Sequence, residues 1–355
     1  EVRKRYGRGK ISRIVETSRH RAAPECPLYT RCGGCRMQHI HYGHQLELKR
    51  RQVAEAFGRI ARIAEPPVAP VIPSPGPWAY RGKAEFHIAG GREKPPRVGL
   101  MALASNDLVD VERCLIVAES INGKYRSFRD LLRQDVVRSP GERQVIWSDE
   151  PGEPPTPVAT ETGSLPDVTR IVKGNRLSVP HRGFFQANVF LVGELVARVC
   201  EASALTGRET LIDAYGGAGL FSLFLGPVSG RFFGIEGDRE AVRCAGLNLQ
   251  RHGLTHGSFI AGDVGEILER EFIRRRERAD VIVLDPPRDG CGERAVAAVA
   301  ALQPERIVYV SCNPATQARD CRRLLAHGYT LCSLQPLDMF PQTAHIEVVA
   351  LLQRL

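Results

Sequence analysis

The sequence predicts an α/β protein: a seven-stranded, doubly wound sheet in the C-terminal half, preceded by a mixed, β-rich α+β module. Three observations carry this. From Gln186 onward strand and helix patterns alternate regularly, as crossover units of a parallel sheet do. A glycine-rich turn, Asp213-Ala-Tyr-Gly-Gly-Ala-Gly219, follows the first strand of that series. Between residues 78 and 185, by contrast, short strand-like runs alternate with turns.

A chain of 355 residues has room for two or three domains and a sizeable core. No apolar run approaches the roughly 18 residues of a membrane span, and the basic start EVRKRYGRGK is not a signal peptide. The chain begins with Glu, so upstream sequence is expected to have been removed. The net charge is +9, and residues 1–59 hold 14 Lys/Arg against 5 Asp/Glu. The excess therefore sits at one end, an electrostatic footprint for a polyanion. Tyr6, Tyr29 and Tyr42 interleave with these charges, which favours nucleic acid. Ten cysteines in a chain of this length argue for thiols or a metal site in the cytoplasm and against a disulfide framework.

In chain order, Lys10–Val15 (KISRIV) predicts a short strand. Next comes Cys26-x5-Cys32-x2-Cys35, with two glycines before Cys35. Three clustered thiols need a fourth ligand, for which Cys114 is the candidate; zinc and a 4Fe–4S cluster both suit four thiolates. His44 to Ile63 has helical spacing, with Leu46, Val53, Phe57 and Ile60 on one face and Lys/Arg on the other. Residues 64–77 are Pro-rich and predict a linker or extended loop. KAEFHIA, RVGLMA and LVDVE are strand-like, and Ser139–Pro166 predicts a long hairpin or insertion. A helix is expected over residues 188–203. The seven strands that follow are TLIDAY, RFFGIE, SFIAGD, ADVIVLD, RIVYVSC, YTLCSL and HIEVVALLQ. The last two have too short a connection for a parallel crossover, so the final strand is expected to be antiparallel.

The chemistry collects where these strands end, the edge at which open α/β sheets bind ligands. The glycine turn permits close ligand approach but is not G-x-G-x-x-G, which disfavours a dinucleotide. Glu236 ends the second strand and suits ribose hydroxyls; Asp263 follows the third and suits an adenine edge. Together they point to S-adenosylmethionine. Asp285-Pro-Pro-Arg288 ends the fourth strand, with Arg288 where methyltransferases of exocyclic amines carry an aromatic residue. Cys312 ends the fifth, in IVYVSCNPAT, a thiol placed as a nucleophile. A nucleophilic Cys beside a methyl donor suits pyrimidine C5 chemistry, which also needs a base; Glu347 opens the last strand, and His345 is the alternative. Gln186, in FFQAN, has both a donor and an acceptor for the cofactor or a uracil edge. One of Phe184 and Phe185 is expected in the core and the other free to stack on a flipped base.

SCNPAT, DPPR, FFQAN, the His-Ile-Glu run and C-x5-C-x2-C with a distant Cys resemble the RNA uracil-C5 methyltransferases. The resemblance is strongest to the iron–sulfur branch acting on 23S ribosomal RNA, and it covers about residues 10–355. It implies a Rossmann-like class I methyltransferase domain and a 4Fe–4S cluster on Cys26, Cys32, Cys35 and Cys114. It implies Cys312 as nucleophile and Glu347 as base, with cofactor contacts from Gln186, Tyr215, Glu236, Asp263 and Asp285. Phe184, Arg81 and Arg288 are expected to meet the RNA. The chain then divides into the remnant of a TRAM-like RNA-binding barrel (1–20), an iron–sulfur and central RNA-binding module (21–183) and the methyltransferase domain (184–355). A monomer acting on ribosomal RNA is expected; transfer RNA, RNA cytosine-C5 methylation and a non-catalytic iron–sulfur RNA-binding protein are the alternatives.

Overall fold

The computed structural model describes residues 2–3, 6–7, 11–91, 94–134, 143–158 and 165–354. Val2–Arg3 (β1) and Tyr6–Gly7 (β2) form a minimal antiparallel pair. The strand expected over Lys10–Val15 does not form at 11–15, where Ile11 and Val15 are 82% and 86% exposed; Lys10 lies outside the described residues. β-Propensity alone does not make a strand that has no partner edge.

Tyr42–Ala56 is helix α1, prolonged by a π-turn at Phe57–Ala61. Its buried face is Gln45, Lys49, Val53 and Phe57, so one lysine expected on the solvated face is in fact fully buried. Lys49 pairs with the equally buried Asp338 and donates to the Phe340 carbonyl at 3.0 Å. Val53, Phe57 and Ala61 join the core of the C-terminal sheet. The Pro-rich stretch lies along that sheet too: Val68 and Ile72 bridge in parallel to Leu334 and Leu337, an edge position that prolines tolerate.

The central module is a four-stranded antiparallel sheet of Lys83–Gly91 (β3), Lys94–Met101 (β4), Leu108–Asp110 (β5) and Arg143–Trp147 (β6), in the order β5-β4-β3-β6. Helix α2, Glu119–Arg133, covers it. The mixed, β-rich α+β character expected of this module is observed; α2 falls in a stretch expected to alternate strand-like runs with turns, and its Ile121, Tyr125, Phe128 and Leu132 have helical spacing and are buried. The expected insertion at Ser139–Pro166 is corrected in part: β6 completes the sheet, and 139–142 and 159–164 lie outside the described residues. A hairpin of Val168–Val172 (β7) and Asn175–Val179 (β8) follows.

The C-terminal sheet has Thr210–Ala214 (β9), Arg231–Glu236 (β10), Gly257–Ala261 (β11), Val281–Leu284 (β12), Arg306–Ser311 (β13), Tyr329–Leu337 (β14) and Glu347–Arg354 (β15). Its order is β11-β10-β9-β12-β13-β15-β14, with β15 antiparallel to both neighbours. The expected seven strands and the reversed last strand are observed. Helices Val192–Ser203 (α3), Leu220–Leu225 (α4), Arg239–Arg251 (α5), Val264–Ile267 (α6), Gly292–Leu302 (α7) and Pro314–Leu325 (α8) connect or cover the strands. The helix expected from residue 188 starts later, because the Asn188 carboxamide accepts from the backbone N–H groups of Phe190 and Leu191 and holds a turn. Among the described residues no helix is long and apolar enough to cross a membrane.

The Lys49–Asp338 pair joins α1 to the loop after β14. Removing one partner of a buried ion pair strands the other charge. Lys49→Ala is therefore expected to lower stability by about 3–5 kcal/mol, read from urea unfolding, whereas mutating the exposed Arg59, paired to Glu55, changes it by less than about 1 kcal/mol.

Candidate active site

Register assembles the site. Parallel pairing aligns Ala214 with Leu284 and Leu284 with Tyr309, so Tyr215, Asp285 and Cys312 all leave the same edge. β15 runs the other way, and its pairing of Val348 with Ser311 sets Glu347 opposite Cys312 one step beyond the ladder. Glu236 ends β10 at this edge, opposite Ala261.

The turn after Cys312 is built by its own motif. Asn313 caps α8 by accepting from Ala315 N–H at 3.2 Å, and Pro314 occupies the first helical turn, where its missing N–H costs nothing. The Asn313 amide and the Thr316 hydroxyl both donate to the Arg288 carbonyl at 3.0 Å. The SCNPAT and DPPR loops are thus tied together. Sequence reasoning missed Gln317, which is fully buried and donates to the carbonyls of Tyr309 and Val348 at 2.8 and 3.1 Å. It clamps the Cys312 strand to the Glu347 strand; its polar amide on the apolar face of α8 was the available signal.

At the glycine turn, Tyr215 has φ 63° and Gly219 φ 87°, the left-handed region that glycine adopts freely and tyrosine does not. A side chain at Gly216 would meet Phe259 at 3.0 Å and the Asp213 carbonyl at 3.1 Å. The Tyr215 hydroxyl donates to the Cys291 carbonyl at 3.0 Å. Glu236 accepts from Gly217 N–H at 2.9 Å and from Asp238 N–H at 2.8 Å, which fixes its carboxylate beside the turn with lone pairs to spare. Asp213, unassigned by sequence, is fully buried, accepts from the Ser222 N–H and hydroxyl, and has its pKa raised to about 6 by burial. Asp263 caps α6 through Glu266 N–H at 2.9 Å and is exposed.

Gln186 is buried and donates to Asp285 at 3.2 Å. Phe185 is in the core and Phe184 is 75% exposed, so the expected division holds. Burial, and then the charges of Asp213 and Glu236, push Asp285 to about 8. Burial, and then Asp285, push Glu347 well above the usual carboxyl range, against the opposing pull of Arg288. Burial and the Glu347 charge raise the Cys312 thiol, while Arg288 draws it down. Arg288 also donates to His345 Nε2 at 3.1 Å. Desolvation and the charges of Arg288, Lys49 and Arg81 lower the His345 pKa to about 4, so its ring is neutral. Arg81 is exposed and donates from Nε to the Lys83 carbonyl at 3.1 Å.

Cys26, Cys32, Cys35 and Cys114, spread over 89 positions of sequence, line one cavity of about 450 Å³ in the central module, together with Arg81 and Phe86. Gly33 N–H bonds the Met101 carbonyl at the end of β4, and the Asn122 amide holds both the N–H and the carbonyl of Cys114. Burial, and then the neighbouring thiols, raise Cys35 to about 12. Among the described residues no three donor side chains converge as ligands of one metal ion. Four thiols lining one cavity are the donor set that both a tetrahedral zinc ion and a 4Fe–4S cluster use.

A sheet of this order, with a glycine turn after its first strand and an acid after its second, defines a Rossmann-like methyltransferase. The family described as tRNA (uracil-5-)-methyltransferase matches residues 173–355. An uncharacterized RNA methyltransferase of Halalkalibacterium halodurans is 33% identical over 99% of this chain and 88% of that protein. One from Caldanaerobacter subterraneus is 34% identical over 100% of this chain and 89% of that protein. The fold matches the Pyrococcus abyssi tRNA (uracil-54, C5)-methyltransferase, solved with S-adenosyl-L-homocysteine, at a TM-score of 0.73 and 23% identity over 96% of this chain and 88% of that one. The chain belongs to the RNA uracil-C5 methyltransferase family and is an S-adenosylmethionine-dependent RNA methyltransferase.

The raised carboxyl pKa values have a thermodynamic consequence. The unfolded chain releases these protons near pH ~4, while the folded protein keeps them, so their contribution is complete below that pH and is lost as pH rises through the folded values. For Asp285 the loss extends to about 8. Glu347→Gln is expected to raise the melting temperature at alkaline pH, with the gain shrinking toward mildly acidic pH. Thermal melts of both proteins across that range check it; a pH-independent difference contradicts it.

Proposed function

We propose that the protein methylates C5 of a uridine in structured RNA, through a covalent adduct between Cys312 and C6 of the base. The observation that carries this is the register that sets Cys312 against Glu347 beside Asp285 and Arg288. Uracil C5 is a poor nucleophile. The Cys312 thiolate forms an S–C6 bond, and the ring electrons move to C5 as an enolate. Bound S-adenosylmethionine supplies an electrophilic methyl group, which C5 takes as S-adenosylhomocysteine is released. Glu347 in its ionised form accepts the C5 proton, the electrons of that bond restore the C5–C6 double bond, and the C6–S bond breaks to return the thiolate. Arg288 holds positive charge at the thiolate. Gln186, Tyr215, Glu236, Asp263 and Asp285 hold the methyl donor, Asp263 at the periphery. Phe184, exposed beside Gln186, stacks on the extruded base, and Arg81 contacts RNA phosphate.

We propose further that Cys26, Cys32, Cys35 and Cys114 hold a 4Fe–4S cluster with a structural or RNA-positioning role, since no step above moves an electron. Iron and sulfide analysis of protein purified without oxygen should find both, and Cys114→Ser should lose both; stoichiometric zinc contradicts the cluster. Ribosomal RNA is the proposed substrate on the resemblance of the cysteine set, while the family description favours transfer RNA. Methyl transfer to unmodified 23S RNA in competition with unmodified tRNA decides between them, and incorporation into tRNA alone overturns the ribosomal assignment.

RNA carrying 5-fluorouridine has no C5 proton to lose and should trap the enzyme covalently. Cys312→Ala should form no adduct, and an adduct retained in that variant refutes the mechanism. Arg288→Met should shift the pH–rate profile to higher pH, because it removes the charge that lowers the Cys312 pKa. Kinetics on uridine-containing RNA measures this.

A further inference from the structure

Nine residues, 338–346, connect β14 to β15 and deliver Glu347 to the site. Glu347 is held weakly by its own ladder: it pairs with Leu337 on β14, and the pairing with β13 begins only at Val348. Its position therefore depends on the loop before it. That loop is fixed from outside the C-terminal sheet. Tyr80 donates to the Pro341 carbonyl at 3.0 Å, and the N–H groups of Arg36 and Met37, directly after Cys35, bond the Gln342 carbonyl at 2.9 and 3.0 Å.

Gln342 is the strained point of the loop. It has φ 66°, a conformation a non-glycine residue keeps only when its surroundings impose it. The imposing group is Gln45 of α1, 297 residues away. Its Nε2 donates to Gln342 Oε1 at 3.0 Å, and its Oε1 accepts from the Gln342 backbone N–H at 3.1 Å. The same amide nitrogen lies 3.0 and 2.9 Å from the Met37 and Ile40 carbonyls, so its two hydrogens are shared among three oxygens. Gln45 is fully buried and Gln342 nearly so. One side chain thus ties the segment after Cys35 to the loop that carries the base.

We propose that Gln45 is a positioning residue for Glu347, acting through Gln342; this rests on the reading of Glu347 as the base. Without the clamp, Gln342 relaxes toward negative φ and the first residue of β15 shifts. Proton removal from C5 then slows, while substrate binding and thiol addition continue.

Two variants test this. Gln45→Met keeps the packing volume and loses the clamp. Gln342→Ala loses the side-chain half of the clamp while keeping the strain of a positive φ, so it tests the claim even where Gln45→Met unfolds. Each is assayed for kcat, for KM of RNA and methyl donor, and for covalent RNA–protein adduct on ordinary uridine RNA by denaturing gel. Glu347→Gln serves as reference. The expected result is a kcat lower by roughly 10–100-fold, unchanged KM values and an accumulated adduct like that of Glu347→Gln. Wild-type kcat in Gln342→Ala, or a lower kcat with no adduct, overturns the clamp while leaving Glu347 as base. Absence of adduct in Glu347→Gln refutes the base itself, and the clamp proposal with it.

Discussion

The site depends on one reversed strand. Six strands of the C-terminal sheet send their carboxyl ends, or loops beyond them, in a common direction or flank those that do. β15 lies antiparallel between β13 and β14, so its first residue arrives where its neighbour β13 ends. A parallel strand in that slot would carry Glu347 to the far side of the sheet. Reversal brings a carboxyl up to the Cys312 thiol, Gln317 reinforces the strand pairing by bonding both strands, and the loop before β15 sets the final placement.

That arrangement crowds acidic groups. Asp213, Asp285 and Glu347 are buried or half-buried in one region, and each has its pKa raised by burial. Arg288 is the counterweight: it lowers the pKa of Cys312 and Glu347, and its carbonyl is tied down by Asn313 and Thr316. Asp285 and Glu347 bind protons more tightly than free carboxyls, so Glu347, once ionised, is a stronger base than an exposed carboxylate for the proposed removal of a carbon proton. The cost is stability at alkaline pH, a common exchange at functional sites.

Much of this was legible in the sequence because it is local. Strand periodicity gave the order of elements, Asn-Pro after Cys312 marked the turn, and the short link before Glu347 predicted the antiparallel strand. What stayed hidden is set by partners far apart in the chain. Lys49 looks like a solvated lysine until Asp338, 289 residues away, is folded against it. Gln45 sits on a helix face where any polar residue would be assigned to solvent. Helix α2 was legible, since Ile121, Tyr125, Phe128 and Leu132 have its spacing, but the surrounding strand-like runs drew the assignment away. At Lys10–Val15 the pattern suggested a strand, and among the described residues none pairs with 11–15 as a neighbouring strand.

The central claim is that a nucleophile on β13 and a base on β15 serve successive steps at one pyrimidine. RNA tritiated at uridine C5 separates those steps in a single turnover. Wild-type enzyme should release tritium in step with methyl transfer. Glu347→Gln should transfer the methyl group and retain the tritium on a Cys312-linked product. Tritium release at the wild-type rate in that variant would contradict the account.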